Sequence, residues 1–170
     1  MTKGKLFPIC PSSPGGPGNF QKVTFRRPLL CASTVLSLIP VSRQEDVIAL
    51  IEDGSLAWAW NIGLSPRNRE VRVLAESVNA FLAGEPGPFA SSDEDEFNRV
   101  LPLIFPEDGP EITAAKIARS FNTGTDHIIS LGRAGEIRFV KGTPHGPGPL
   151  GSPRFEFASV VNFIRDRRLL

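Results

Sequence analysis

The stretch that decides the fold is TGTDHIISLGRAGEIRF, at residues 123–139, because it repeats SRQEDVIALIEDGSLAW, at residues 42–58. Apolar residues and one glycine hold the same places in both stretches. With one extra residue in the second stretch, the agreement resumes between residues 72–82 and residues 154–164. A repeat has to be recognised before elements are assigned, because missing it leads to the wrong fold. The sequence therefore predicts two copies of one small unit.

Both copies are predicted to contain a helix, a tight turn, a second helix, a two-stranded hairpin and a closing helix. In the first copy, the apolar run from Leu29 to Ile39 predicts the first helix, which Pro40 ends. Ser42 and Glu45 predict a capping box at the second helix, in which the hydroxyl accepts a backbone N–H and the carboxylate reaches back. The glycine after that helix suits the left-handed backbone position that ends a helix.

The second copy repeats this plan with clearer signals. Thr113 is predicted to cap its first helix, with Ile112 and Ile117 forming a hydrophobic staple. The second helix is predicted at residues 123–133, with its cap at the start of that range and Gly135 after its end.

Alternating apolar residues predict the hairpin strands, and a closing helix follows each hairpin. The strands are expected at residues 56–60, 70–74, 136–140 and 155–157, and the closing helices at residues 75–83 and 159–168. This order of elements is that of a helix-turn-helix with a wing, where the wing is the hairpin after the second helix.

Charge is distributed unevenly along the chain, although the net charge is only +1. Residues 1–19 carry +2, are rich in Pro and Gly, and are predicted to be a disordered arm. Residues 20–84, the first copy, carry +1, whereas residues 85–110 carry −6 and are predicted to be an acidic helical linker. Residues 111–170, the second copy, carry +4. Such segregation bears on binding partners rather than on the fold.

Two strings in the second copy carry a family resemblance: GEIRFVKG at residues 135–142, which enters the wing, and RFEFASVVNFI at residues 154–164, which leaves it. With the succession of elements from Ile112 to Arg168, they resemble the excisionase and MerR-like winged helix-turn-helix DNA-binding family. The first copy resembles it more loosely. The implied fold is α+β, mainly α, with two tandem winged helix-turn-helix modules joined by the acidic linker. In that family the second helix enters the major groove and the wing crosses the backbone or minor groove.

The resemblance places the DNA-binding residues of the second copy on its second helix and wing. Hydroxyls and backbone N–H groups at a helix start suit phosphates, an arginine can pair with a guanine edge, and cations along a hairpin suit the DNA backbone. The candidates are Thr123, Gly124, Thr125, His127, Ser130 and Arg133 on the helix, and Arg138, Lys141, His145 and Arg154 on the wing. The alternative is that these are ordinary solvated side chains.

The first copy departs from this pattern on its second helix, where four carboxylates would repel phosphates. These are Glu45, Asp46, Glu52 and Asp53. Its wing suits DNA better and adds three candidates, Arg67, Arg69 and Arg72. Trp60 is expected either to be exposed as a protein contact or to lie half buried between the copies. The first copy is therefore predicted to be a weaker DNA binder or a packing and partner module.

No residue pattern predicts an enzyme, a cofactor or a metal site. GPGPLG at residues 146–151 has the spacing of a nucleotide-binding fingerprint, but it would feed a strand, and such a fingerprint must open a helix. The four acids from Asp93 to Glu96 predict the solvated first turn of a helix. His127 and His145 lie in different elements, without metal-ligand spacing around them.

The predicted function is sequence-specific binding of double-stranded DNA, as a transcriptional regulator or as a recombination and excision accessory factor of a mobile element. The alternative is a non-enzymatic protein-interaction or virus assembly and DNA-packaging adaptor that keeps the winged-helix fold. Its protein partner would bind through Trp60 or the linker. Two cysteines without a disulfide pattern, no signal peptide and no membrane-length apolar run predict a cytoplasmic location, at the nucleoid when DNA is bound.

Overall fold

A computed structural model gives the fold over residues 22–65, 67–85, 94–106, 109–145 and 151–169. The predicted arm at residues 1–19, Asp93 of the acidic run, and residues 146–150 of the glycine-rich string lie outside these residues. Within them, seven helices and two small antiparallel sheets make an α+β fold that is mainly helical. No described helix is long and apolar enough to cross a membrane.

The first copy contains three strands and three helices. They are β1 (Leu29–Cys31), α1 (Ala32–Leu38), α2 (Gln44–Glu52), β2 (Ala59–Asn61), β3 (Val71–Leu74) and α3 (Ala75–Ala83). The strands form one antiparallel sheet in the order β1-β3-β2. The last strand of the copy therefore lies between the other two.

The linker forms one helix, and the second copy repeats the plan of the first. The elements are α4 (Glu94–Ile104), β4 (Glu111–Thr113), α5 (Ala114–Ser120), α6 (Thr125–Arg133), β5 (Arg154–Glu156) and α7 (Phe157–Asp166). Strand β4 pairs with β5 in antiparallel fashion, and Phe139 forms a single bridge with Phe155. The middle strand of the second copy is thus reduced to one bridging residue, where residues 136–140 were predicted to form a full strand.

Element bounds and backbone hydrogen bonds agree between the copies. Helices α2 and α6 have the same length, and their starts lie 81 residues apart. The carbonyl of Pro28 accepts from the N–H of Ala75 (2.8 Å), and that of Pro110 accepts from the N–H of Phe157 (3.0 Å). Both bonds join the residue before the first strand to the start of the closing helix. The order of elements and the pairing of the first and last strands therefore repeat with the sequence.

A serine in each closing helix fastens that helix to the wing. The Ser77 hydroxyl donates to the carbonyl of Ala57, and the Ser159 hydroxyl accepts from the N–H of Arg138 at 2.9 Å. Both serines are buried, and each pairs with a backbone group of the wing in a partly buried hydrogen bond. This hydrogen bond gives a physical reason for the serine at the matching position of both closing helices.

The predicted first helix, residues 29–39, is wrong at its start. Leu29 pairs with Leu74 in the antiparallel sheet, and the helix begins only at Ala32. Strand β4 was likewise not predicted. A short apolar run does not distinguish a buried strand from a helix, and the partner strand lies far along the chain.

Two predicted helix starts are also displaced. The capping box of Ser42 and Glu45 is wrong, because α2 begins after Arg43, and Asp46 accepts the N–H groups of Arg43 (3.1 Å) and Ser42 (3.3 Å). Helix α6 begins at residue 125, not 123, and its N-cap Gly124 offers no side-chain bond. A short polar run offers several capping residues, and the sequence does not say which one adopts the extended backbone.

Other predicted boundaries are confirmed. Thr113 accepts the N–H of Lys116 at 3.3 Å, and Gly54 and Gly135 have φ values of 80° and 79° after their helices. Helix α3 has the predicted bounds, whereas α7 begins at Phe157, two residues before the predicted start, and ends at residue 166.

Most large buried side chains form one core that spans both copies and α4. The first copy contributes Trp58 and Trp60, α4 contributes Phe97 and Ile104, and the second copy contributes Phe121 among others. A smaller core lies within the first copy, around α1 and α2. The predicted apolar face of the linker helix is therefore confirmed, and it packs where the copies meet. Units of about 60 residues bury a smaller fraction of their surface than larger domains do, so a shared core stabilises both.

Candidate nucleic-acid interface

The turn between α5 and α6 is held by an arginine of the first copy. Arg72 is 7% exposed. Its Nε donates to the carbonyl of Phe121 (2.8 Å), and its Nη2 donates to the carbonyl of Asn122 (3.2 Å) and to Glu70 Oε1 (2.7 Å). The prediction that Arg72 binds DNA is therefore wrong. Its guanidinium satisfies a turn in which Asn122 has a φ of 51°.

His127 also faces the first copy. Its Nε2 donates to the carbonyl of Ile62 at 2.7 Å, and its Nδ1 lies 3.6 Å from Glu70 Oε2. The side chain is 16% exposed. The wing of the first copy therefore covers most of His127, which was predicted to be a DNA-binding residue.

The C-terminal segment of the second copy extends the sheet of the first. The N–H of Leu169 donates to the carbonyl of Ala59 (2.7 Å), and the N–H of Asn61 donates to the carbonyl of Arg167 (2.9 Å). These bonds cover the free edge of β2. The wing and the sheet edge of the first copy are thus bound to the α5–α6 turn, the start of α6 and the C-terminal segment of the second copy.

Trp60 lies at this joint and is 0% exposed. It bridges to Arg168, whose guanidinium lies 3.6 Å from the centre of the Trp58 ring. Burial lowers the pKa of Arg168 from its ordinary value, and the Glu96 carboxylate opposes that shift. The expectation that Trp60 is an exposed protein contact is therefore wrong. The other alternative placed Trp60 half buried between the copies, and the structure has it there but fully buried.

The solvent side of α6 keeps part of the predicted site. Gly124, Thr125 and Arg133 are exposed, while Thr123 is half buried. Ser130 is half buried, and its hydroxyl donates to the carbonyl of residue 126 at 2.8 Å. The exposed carboxylate of Asp126 stands in the same first turn, so the start of α6 is polar but not purely basic.

The wing of the second copy is packed onto the end of α6 by aromatic rings. Phe139 stacks on His145 at 4.1 Å and on Phe155 at 4.5 Å between ring centres. A Cβ on Gly132 would lie 2.6 Å from ring atoms of both Phe139 and Phe155, so only glycine allows this approach. Arg133 Nη2 donates to the carbonyl of His145 at 3.0 Å. Helix end and wing therefore form one continuous surface.

Three cations of this wing reach solvent. Lys141 is exposed. Arg138 is 68% exposed and pairs with Glu156 at 3.1 Å, and the 58% exposed Arg154 pairs with Glu111 at 3.3 Å. Exposed ion pairs contribute about 0–1 kcal/mol, so a phosphate could replace these carboxylates at small cost.

The remaining first-copy candidates are Arg67 and Arg69. Both are exposed, unlike the buried Arg72. Arg69 lines one cavity with Glu52 and another with Glu45, both on α2. Arg69 therefore lies among carboxylates, and among the described residues the second helix and wing both carry exposed cations in the second copy alone.

Cys31 is a titratable group that the sequence did not single out. It is the N-cap of α1, the place that Thr113 holds in the second copy. Burial opposes ionisation of the thiol, but hydrogen bonds with Ser33 and Thr34 and the charge of Arg72 outweigh it, and the pKa of Cys31 is lowered to about 7. In the second copy, the same backbone position carries a hydroxyl cap instead.

Comparison of the chain with protein-family models, with curated proteins and with solved structures finds no match. Among the described residues, no group of three or more His, Cys, Asp or Glu side chains could hold a metal ion.

Proposed function

We propose that the protein binds double-stranded DNA in a sequence-specific manner through α6 and the wing of the second copy, as a winged helix-turn-helix. It would act as a transcriptional regulator or as an accessory factor in recombination or excision of a mobile element. The observation that supports this most is the packing of Phe139 and Phe155 on Gly132, with the Arg133–His145 hydrogen bond beside it. It joins the helix and the wing into one surface that carries exposed cations.

Each exposed group of this surface has a chemical role in the proposal. The hydroxyl of Thr125 and the free N–H groups at the start of α6 would bind phosphate oxygens. Arg133 would pair with a guanine edge in the major groove. Arg138 and Lys141 would neutralise backbone phosphates along the wing.

The first copy would act as a support for this surface. Glu45, Glu52 and Asp53 are exposed on and after α2, and phosphates would be repelled there. Through Arg72 and the Ile62 carbonyl, the first copy fixes the turn and first residues of α6. A helix held in place before DNA arrives loses less entropy on binding.

The test is a fluorescence anisotropy titration of mixed-sequence duplexes between 50 and 200 mM salt. Wild-type affinity should fall steeply with salt, and Arg138→Ala and Lys141→Ala should each reduce the slope of log K against log salt by about 0.9. Arg133→Ala should instead reduce discrimination between duplex sequences by about 1–3 kcal/mol. Absence of duplex binding at 50 mM salt would overturn the proposal.

A protein-interaction or DNA-packaging adaptor is the second candidate. The exposed carboxylates of α2 and of Asp126 favour it, because an acidic surface suits a basic protein better than DNA. An adaptor would leave duplex anisotropy unchanged at every salt concentration, and this outcome distinguishes it from the first candidate.

A further inference from the structure

A basic groove lies beside the start of α6 and has no wing residue in its lining. It has a volume of about 500 Å³ and is lined by Arg26, Arg27, Arg119, Thr123 and Thr125, with two alanines of α5. None of the described residues that line it carries a carboxylate. Cavities of roughly 300–1,000 Å³ admit ligands of nucleotide size.

The three arginines come from two parts of the chain. Arg26 and Arg27 precede β1 in the first copy, and Arg119 lies in the last turn of α5 in the second. Arg26 and Arg119 are exposed, and neither forms an ion pair with another described residue. Three guanidinium groups for which the described residues supply no ion-pair partner favour an anionic ligand.

One of these arginines is already held in position. Arg27 Nη1 donates to Asn122 Oδ1 at 2.8 Å, in the turn that Arg72 also holds. The rest of its guanidinium remains available to a ligand. A side chain ordered before binding loses less conformational entropy when the ligand arrives, which favours affinity.

We infer that this groove binds a phosphate of the DNA backbone next to the point where α6 enters the duplex. The inference rests on the proposed function and extends it, because Arg26 and Arg27 make the first copy part of the DNA interface. Thr123 and Thr125 supply hydroxyls at the same place, and arginine binds phosphate through paired N–H donors. The phosphate fixes the register of α6 and carries no sequence information.

The experiment is the same anisotropy titration with Arg26→Ala, Arg119→Ala and the double variant. Each single variant should bind about tenfold more weakly at 0.1 M salt, with sequence preference unchanged, and the double variant should lose about 0.9 from the salt slope because the groove neutralises one phosphate. Arg43→Ala is the matched control, because Arg43 is an exposed arginine that does not line the groove. Thermal unfolding of each variant checks that the fold is kept.

The outcomes separate the inference from the function. Duplex binding by the wild type, with losses in the groove variants but not in Arg43→Ala, supports both. Duplex binding that is equal in the wild type and the double groove variant overturns the inference and leaves the function standing. No duplex binding by the wild type at 50 mM salt overturns both.

Discussion

In the first copy, the segment after the second helix carries Trp58 and Trp60, and both are buried where the copies meet. In the second copy, the matching positions are Phe139 and Lys141, and Lys141 is exposed. The order of elements is the same in both, although the middle strand is a single bridge in the second copy. The difference lies in which surface faces the other copy: this segment is covered in the first copy and reaches solvent at Lys141 in the second.

The same contrast holds for a matched pair of arginines. Arg72 is buried and holds the α5–α6 turn, whereas Arg154 is exposed and pairs with Glu111. Equal position in a repeat therefore does not mean equal function. Burial decides whether the charge stabilises the fold or is available to a ligand.

The largest difference in stability effect between matched positions of the two copies is expected for these two arginines. Arg72→Ala should lower the free energy of unfolding by about 3 kcal/mol, because it leaves the buried Phe121 carbonyl, the partly buried Asn122 carbonyl and Glu70 without their donor. Arg154→Ala should lower it by less than about 1 kcal/mol, since its ion pair is exposed. Urea unfolding measures both, and equal losses would contradict the assignment of Arg72 to the joint.

The next effect concerns Gly132, which matches the buried Ile51 of the first copy. Gly132→Ala should cost about 2 kcal/mol, because the new methyl group meets two aromatic rings that pack the wing onto α6. Gly124→Ala is the control, since nothing lies within 4 Å of its Cβ position. A small loss in Gly132→Ala, comparable to the control, would show that the wing is not held at this place.

The smallest effect distinguishes the two N-caps, Cys31 and Thr113. In a Cys10→Ser background, alkylation of Cys31 by iodoacetamide should rise with pH about a midpoint near 7. A lowered pKa means that the Cys31 thiolate persists to a lower pH than an ordinary cysteine thiolate does. Thr34→Val removes one stabilising hydroxyl and should raise the midpoint. A wild-type midpoint near the ordinary thiol value, about 8.5, would contradict the hydrogen-bonded cap.

Local signals predicted the frame of each copy well. Gly54 and Gly135 end their helices because a left-handed residue is required there, and Thr113 caps α5 through a bond to a residue three positions on. Such features depend on neighbours in sequence. The strand β1 was missed because its stability comes from pairing with β3, which no local pattern records.

The candidate site was predicted less completely, for the same reason. Arg72 and His127 bond to residues of the opposite copy, and a single sequence does not show how two copies pack. Arg26 and Arg27 were passed over because they precede the first strand and belong to no motif. They become part of a basic groove because the packing of the two copies places them beside the α5–α6 turn.

One titration decides whether the wing of the second copy, rather than that of the first, meets DNA. Arg138→Ala/Lys141→Ala and Arg67→Ala/Arg69→Ala each remove two exposed charges from one wing. With a fluorescent duplex between 50 and 200 mM salt, the second-copy pair should reduce the salt slope by about 1.8, and the first-copy pair should leave it unchanged. A larger reduction from the first-copy pair would contradict the assignment of DNA binding to the wing of the second copy.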